Sequence, residues 1–390
     1  FGKRYGVGMK SRRSRVWGLP TVNDAFSGAI LADEILTPGE GQLRAMFVTG
    51  GNPLITMANA ARLRKAFEQL ELLVTVDIYR NETGSLAHYV LPATSPFQRP
   101  DLPFVFPLWL GLQSKPYLQA TRPVVPPQGE QRDEATIYHD LCRACGVGLF
   151  GSKTVTRALE AARRVRSWRG HGNGLLQEGI LSAMLRVTRS GSFEGLLAHP
   201  HGLARPDHTV GDFLPDRLQT DDKKVHLAPE PLLAETARLE ARFERELAQQ
   251  GSLKLITKRA LTTHNSWTHN LPDFVKEERD NHTNHLYMHP SDAAERGLTD
   301  GDTVDVQTDT GLVRLPLRLL DDLMPGVVAL PHGWGHQGAK RLTVASRTHG
   351  VNVNLLAADG PDQADPVSGM VHLTGFPVRV QRAGGPQDPT

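Results

Sequence analysis

The sequence predicts a chain of mixed class, with an α/β portion first, a helical middle region next and an all-β portion last. Three observations support this order. Two short apolar runs flank a helical repeat near residue 60, several amphipathic helical patterns follow, and the last third alternates short strand-like runs with turns. A length of 390 residues exceeds one ordinary domain and suffices for two or three.

The α/β portion is predicted for residues 1–92. Its two strand candidates, 45–49 and 72–76, are short apolar runs without polar alternation. Between them, apolar residues recur at helical spacing: Ala60, Leu63, Phe67 and Leu70. Buried strands joined by a helix indicate a Rossmann-like parallel sheet with a right-handed crossover.

The middle region, 93–250, is rich in proline and then helical. Its three helical patterns lie near 155–165, 176–187 and 232–247, each with an apolar face.

The all-β portion is predicted for 251–382, followed by a tail at 383–390. Strand candidates lie at 253–257, 303–308, 312–319 and 327–330, and Pro290 suits the first position of one short helix. Many short strands with tight turns favour a barrel or a sandwich.

Charge and hydropathy give no support for a nucleic-acid-binding or membrane-spanning protein. Lys and Arg total 44 against 42 for Asp and Glu, so the net charge of +2 gives no argument for nucleic acid. A basic run within residues 1–15 is either a nucleic-acid arm or a solvated chain end, and we favour the second. We expect no membrane span, because no apolar run is long enough, and we expect a cytoplasmic protein, because no signal peptide is visible.

A glycine-rich loop marks the first candidate site. Gly50, Gly51, Asn52 and Pro53 follow the first strand candidate, and Asp77 follows the second. Ligands bind at the carboxyl ends of parallel strands, and backbone N–H groups of glycines approach phosphate closely. The alternatives are a plain tight turn for the loop and a cap or surface turn for Asp77.

Histidines cluster in the all-β portion. His264 and His269 lie within 261–270, and His282, His285 and His289 follow. Neither a carboxylate nor a cysteine completes an obvious metal site, and the neighbours are Asn, Thr, Ser and Trp. We therefore expect no metal ligands here, but polar groups suited to a ring-shaped ligand. A zinc-type site is the alternative.

Two cysteines, Cys142 and Cys145, have the CxxC spacing near the end of a helical pattern. An iron–sulfur cluster requires four ligands, so we predict buried packing cysteines instead.

Several motifs occur in the order found in one known family. They are LADEILTPGEGQLR (31–44), the runs 45–53 and 72–92, the run 261–270, HPSDAAERGLTDGDTVDV (289–306), VVALPHGWG (327–335) and VNVNLL (351–356). The chain resembles the C-terminal half of molybdopterin oxidoreductases of the dimethyl sulfoxide reductase type, which include formate dehydrogenases and nitrate reductases. The resemblance implies a six-stranded double-psi β-barrel for the all-β portion.

The resemblance also implies a cofactor and the residues that bind it. The cofactor would be bis-molybdopterin guanine dinucleotide with Mo or W. Gly51, Asn52 and Asp77 would hold one nucleotide arm. The remaining implied residues would line the pterin and its phosphates or read a ring edge: Thr263, His264, Asn265, Ser266, His269, His332, Gly333, Trp334 and Asn354.

The implied activity is two-electron chemistry on a small substrate such as formate or nitrate. The family's Mo ligand and its cysteine-rich segment for a [4Fe–4S] cluster do not occur in the sequence. We therefore expect a missing N-terminal half or a companion subunit as partner, and no activity from this chain alone. The competing hypotheses are a non-catalytic interaction module that has lost the cofactor, and a metal hydrolase using His282, His285 and His289.

Overall fold

The computed structural model describes residues 12–22, 24–102, 117–169, 174–204, 218, 220–248, 252–260, 263–276 and 281–384. The basic run within 1–15 and the tail at 383–390 lie largely outside these residues, so both interpretations stay predictions. No helix in the described ranges is long and apolar enough to cross a membrane.

The strands are short and fall mainly at the two ends of the chain. They are β1 (Ala45–Thr49), β2 (Leu72–Asp77), β3 (Tyr89–Pro92), β4 (Tyr117–Leu118), β5 (Leu203–Ala204), β6 (Leu253–Lys258), β7 (Leu286–Met288), β8 (Thr303–Gln307), β9 (Leu312–Leu319), β10 (Val327–Pro331) and β11 (Phe376–Arg382).

The longer helices occupy the middle of the chain. The helices are α1 (Leu31–Leu36), α2 (Pro53–Thr56), α3 (Ala60–Glu68), α4 (Glu82–Leu86), α5 (Glu134–Ala144), α6 (Lys153–Trp168), α7 (Gln177–Val187), α8 (Phe193–Leu197), α9 (Glu230–Leu247) and α10 (Pro290–Glu295).

The chain divides into two compact units. The helical unit comprises Val76–Ile78 and Leu91–Leu227, and the barrel unit comprises Gly2–Thr75, Tyr79–Val90 and Ala228–Thr390. The barrel unit is therefore assembled from both ends of the chain. The domain boundaries predicted from sequence stay predictions.

The α/β segment contains the predicted strands and the helix between them. β1, β2 and β3 form a sheet in that order, and α3 covers the predicted helical pattern. Asn59 begins α3 by accepting a hydrogen bond from the Arg62 backbone N–H, which satisfies one of the free donors of a helix start. The apolar face of α3 is buried through Leu63 and Phe67. The parallel direction of this sheet stays a prediction.

The all-β portion is a closed six-stranded barrel in the order β10-β6-β11-β8-β9-β7. The pairs β10–β6 and β7–β9 are parallel, and the other four are antiparallel. Alternate residues point inward, as β9 shows by burying Val313, Leu315 and Leu317. The closed order confirms a barrel over a sandwich. The double-psi detail stays a prediction.

Polar contacts join the α/β segment to the barrel within the barrel unit. The side-chain amide of Asn352 donates to the Leu54 carbonyl at 2.8 Å, and that of Asn354 donates to the Ile55 carbonyl at 2.6 Å. Both carbonyls belong to α2, a helix too short to satisfy them internally. The barrel thus fixes α2 and the loop that precedes it.

An arginine reinforces the same contact. Arg62 on α3 pairs with Asp33 Oδ1 at 2.5 Å and with Asp359 Oδ2 at 2.7 Å, so it links the helices of the α/β segment to a loop of the barrel portion. Burial alone would lower the pKa of Arg62, but the hydrogen bonds and negative charges of Asp33 and Asp359 raise it. The net effect is a raised pKa.

The helical unit confirms the existence of two predicted helices but not their apolar faces. Val155 and Val165 of α6 and Val187 of α7 are largely exposed, whereas Leu185 is buried against Phe193. Helical spacing predicts a helix and an apolar stripe, but it does not say whether a partner covers the stripe. The third pattern, α9, is also a helix, and it has no buried residue at all.

The prediction of packing cysteines is wrong for Cys145, which is exposed, while Cys142 is half-buried. Helix α5 buries Thr136, Ile137 and His139 near its start, and Cys145 caps its far end. A cap position lies beyond the packed face, so the CxxC spacing carried no information about burial.

Candidate functional site

The glycine-rich loop turns sharply between β1 and α2. Gly50 adopts a φ of +56°, which only glycine tolerates without strain, and Asn52 and Pro53 begin the helix. The carbonyl of Gly51 accepts a hydrogen bond from the Asn81 side chain at 3.3 Å. The predicted turn and helix start are confirmed.

The Asn52 side chain is used inside the protein. It is buried, donates to Glu82 Oε2 at 2.6 Å and accepts from the Thr83 hydroxyl at 2.9 Å. Its amide therefore organises the loop against α4. The predicted contacts of Gly51 and Asn52 with a nucleotide stay predictions and would use the backbone of the loop.

Asp77 ends β2 and is half-buried. Its carbonyl accepts a hydrogen bond from the Ala93 N–H at 3.1 Å. Asp77 belongs to the helical unit, whereas the other predicted site residues belong to the barrel unit. Its role toward a nucleotide stays a prediction.

Two loops of the barrel portion bring most of the predicted residues together. The first, 263–270, contains buried Thr263, whose hydroxyl donates to the Ala260 carbonyl at 3.2 Å. His264 begins a 3₁₀ turn, and its side chain lies outside the described structure. Asn265 and Ser266 adopt left-handed φ values of 56° and 79°. Such conformations are rare outside glycine and mark a strained loop.

The second loop, 332–336, approaches the first through Gly333. This residue has a φ of +86°, and a Cβ placed on it would lie 3.0 Å from the Ser266 backbone nitrogen. Glycine is thus required both by conformation and by the close approach of the two backbones.

His332 and Asn265 connect the loops by their side chains. His332 Nδ1 donates to the Lys258 carbonyl at 3.1 Å, and its Nε2 lies 2.8 Å from the Asn265 side chain. Burial lowers the pKa of His332, the Lys258 carbonyl opposes this shift, and Arg259 adds to it. A neutral ring that donates from Nδ1 accepts at Nε2, so Asn265 must present its amide nitrogen there.

His269 lies at the centre of the site with no exposed surface. Its ring centroid is 4.4 Å from that of Trp334, and its Nδ1 is 2.8 Å from His336 Nε2. Burial is the main reason that the pKa of His269 is lowered to about 3. The neighbouring His336 and His332 add to the effect, and the Gly333 carbonyl opposes it. His269 is therefore neutral at physiological pH.

Glu82 and His336 complete the centre, and the sequence analysis missed both. Glu82 is 2% exposed, and His336 is fully buried. His336 Nδ1 lies 3.0 Å from Glu82 Oε1, and Nε2 lies 2.9 Å from the Gly333 carbonyl oxygen. The two residues are 254 positions apart, so no local pattern connects them.

Asn354 lies at the edge of the site and is 4% exposed. Its amide nitrogen is committed to the Ile55 carbonyl, and its backbone N–H donates to Asn352 Oδ1 at 3.0 Å. The predicted role in reading a guanine or pterin edge stays a prediction.

Two buried nitrogen atoms at the centre lack partners. Neither His269 Nε2 nor Trp334 Nε1 has a hydrogen-bond partner among the described residues. Gly350 packs against the Trp334 ring, where a Cβ would lie 2.3 Å from a ring carbon, so the indole is held in place. An unpartnered buried donor costs ~1–3 kcal/mol, and a ligand that presents acceptor atoms would recover this cost. The donor set thus fits the polar edge of a ring-shaped ligand.

The described residues provide no group of ligands for the alternative hypothesis of a metal site. No three His, Cys, Asp or Glu side chains come together there in an arrangement that could hold an ion. His289 caps α10 by accepting a hydrogen bond from the Ser291 N–H at 3.1 Å.

The close approach of the two loops predicts the effect of adding a methyl group. Gly333→Ala and Gly326→Ala both place alanine at a positive φ, which costs about 1–2 kcal/mol. Only Gly333 also has backbone within contact, so Gly333→Ala should lower the free energy of unfolding by roughly 1 kcal/mol more. Urea denaturation of both variants measures the difference. Equal losses would show that the contact between loops is absent.

The depressed pKa of His269 predicts a pH dependence of stability. The folded value of about 3 lies below the ordinary 6.5, so stability is fully present above pH 6.5 and falls toward pH 3. The loss is up to about 1.4 kcal/mol per pH unit. His269→Gln should flatten this part of the curve of unfolding free energy against pH, whereas His289→Gln should not. Parallel curves for wild type and His269→Gln would contradict the assignment.

Comparison with known proteins identifies the two matched regions. Residues 21–144 match the family model of molybdopterin oxidoreductases, and residues 253–377 match that of molydopterin dinucleotide-binding domains. The trimethylamine-N-oxide reductase of Haemophilus influenzae is 25% identical over 354 residues, which cover 82% of this chain and 40% of the relative. The thiosulfate reductase molybdopterin-containing subunit of Salmonella typhimurium is 27% identical over 373 residues, 90% of this chain and 45% of the relative.

A solved structure shares the fold. Acetylene hydratase from Pelobacter acetylenicus superimposes with a TM-score of 0.66 at 20% identity, over 92% of this chain and 46% of that protein. The chain thus spans less than half the length of these relatives. Taken with the two family models, these relatives show that the chain belongs to the molybdopterin oxidoreductase family of the dimethyl sulfoxide reductase type.

Proposed function

We propose that this chain binds bis-molybdopterin guanine dinucleotide, with Mo or W, as part of an enzyme that performs two-electron chemistry on a small substrate. The observation that carries the proposal is the pair of buried, unpartnered donors, His269 Nε2 and Trp334 Nε1, between two loops held by Gly333. When bound, the cofactor would supply the redox chemistry, and the protein would bind and orient it.

The chain's own residues have distinct parts in this proposal. His269 and Trp334 would donate to acceptor atoms of a pterin, while the Asn265–His332 pair would hold the loop shape beneath it. The loop at Gly50–Asn52 would offer backbone N–H groups to a phosphate of one nucleotide arm, with Asp77 as the proposed acceptor for its guanine. Asn354 would hold α2, and with it the glycine-rich loop that precedes α2.

The substrate and the partner are further parts of the proposal. Two relatives are named for trimethylamine N-oxide and thiosulfate, and another for formate, so a small substrate of this kind is proposed without a choice among them. Another polypeptide segment would supply the metal's protein ligand and the route for electrons, with a [4Fe–4S] cluster if the segment carries the cysteines. The chain alone would then lack redox activity.

The competing hypothesis is an interaction module that has lost its cofactor. Such a module would keep two buried donors unsatisfied at the centre of its fold, at ~1–3 kcal/mol each. Substitution would remove this cost without penalty, so the retained donors favour a ligand.

The proposal predicts that removing one donor weakens cofactor retention. Trp334→Phe keeps an aromatic ring against His269 but removes the N–H, so affinity should fall about tenfold, the size of one lost hydrogen bond. Pterin released from purified protein and metal content measure retention. Trp267→Phe, at an exposed tryptophan of the first loop (263–270), is the matched control. Unchanged pterin and metal in a folded Trp334→Phe variant would contradict the proposal.

A further inference from the structure

A line of buried polar groups runs from the α/β segment to the barrel loops. It consists of Asn52, Glu82, His336 and His269, which are between 0% and 7% exposed. The three links measure 2.6 Å from Asn52 to Glu82, 3.0 Å from Glu82 to His336 and 2.8 Å from His336 to His269. We call this line the buried polar chain. Only its last member, His269, has an unpartnered atom in the described structure.

The distances favour one placement of the protons. His336 Nε2 lies 2.9 Å from the Gly333 carbonyl, which can only accept, so a proton on Nε2 turns this contact into a hydrogen bond. Its Nδ1 faces Glu82 Oε1, and the other oxygen of Glu82 already accepts from Asn52. A second proton on Nδ1 would complete the pairing of Glu82, so the proposal places protons on both ring nitrogens of His336.

The same reasoning fixes His269. Its Nδ1 faces the protonated Nε2 of His336 at 2.8 Å, and two N–H groups cannot point at each other over this distance. With a proton on His336 Nε2, His269 Nδ1 accepts, and the single proton of the neutral ring then lies on Nε2. The low pKa of about 3 agrees with a neutral ring, and burial is its main cause.

We propose that Glu82 and His336 are positioning residues that hold His269 in the Nε2-protonated tautomer, so that it meets the bound ligand as a neutral hydrogen-bond donor. The statement about the ligand rests on the proposed function, whereas the statement about the tautomer does not. Neither Glu82 nor His336 touches the ligand in this proposal. A neutral donor suits carbonyl and ring-nitrogen acceptors, which need one N–H in a fixed place.

Two substitutions of His336 separate positioning from mere packing. A glutamine amide reaches about as far as Nε2 of histidine, so His336→Gln can still donate to Gly333 and His269 while it loses the bond to Glu82. An asparagine amide reaches only about as far as Nδ1, so His336→Asn keeps Glu82 and loses His269. Both variants remove one ring and one buried contact.

The first measurement uses cofactor-free protein and ¹⁵N NMR of the histidine side chains. Wild type and His336→Gln should show His269 protonated at Nε2 alone, and His336→Asn should show a mixture of both tautomers. His289→Asn is the control, because asparagine also caps a helix and should leave the His269 signals unchanged. His269 protonated at Nδ1 in the wild type, with its proton donated to the Gly333 carbonyl, would overturn the proposal. The wild-type spectrum decides this even if His336→Asn fails to fold.

The second measurement is cofactor retention by pterin and metal content. His336→Asn should retain the cofactor about tenfold less tightly, and His336→Gln should stay within about twofold of wild type. Equal losses in both variants would indicate a packing role and overturn the positioning role. If the tautomers are as proposed but neither His336→Asn nor Trp334→Phe changes retention, the proposed function fails while the positioning of His269 stands.

Discussion

The contact between Glu82 and His336 lies where the α/β segment meets the barrel, and both side chains are removed from water. Burying a carboxylate costs several kcal/mol unless its oxygens are paired and hydrogen-bonded. Asn52 and His336 together meet this requirement for Glu82. The pairing is possible in one arrangement of the two segments only, because its donors come from the glycine-rich loop and from the barrel loop at 332–336.

Other polar contacts join the same two segments. Asn352 and Asn354 satisfy the carbonyls of α2, and Arg62 joins two carboxylates at its side. Each of these replaces a bond to water, so its net contribution is modest, about 0.5–1.5 kcal/mol for a neutral pair. Their shared effect is orientation: the end of β1 and the two barrel loops are held in one rigid arrangement around His269.

Local sequence patterns predicted the positions of helices and strands better than they predicted which residues contact each other. The strands β6, β8, β9 and β10 were found within one residue of their ends, because alternation and turn residues act over a few positions. β7 and β11 were missed: one has three residues, and the other contains a proline. The exposure of Val155 and Cys145 was not foreseen, since burial depends on what packs against a helix.

The candidate site also contains residues that the sequence indicated and residues that it did not. The runs 261–270 and 327–335 were recognised as motifs, and the structure brings them together at Gly333. Glu82 and His336 were overlooked because a single glutamate and a single histidine in polar surroundings usually face solvent. Their pairing joins residues 254 positions apart, and only the folded chain reveals it.

The barrel unit is discontinuous in sequence, since the whole segment Leu91–Leu227 of the helical unit interrupts it. During synthesis, the α/β segment must wait for the barrel strands before Glu82 finds its partner, so folding of this unit is governed by contacts of long sequence separation and should be slow. The interruption itself has only a small effect on the free energy of unfolding. Loop-closure entropy grows with the logarithm of length, and doubling the inserted segment would cost only about 0.6 kcal/mol. The helical unit could therefore change in length, or be replaced, with little effect on the free energy of unfolding of the barrel unit. The main effect of such a change would be on the folding rate.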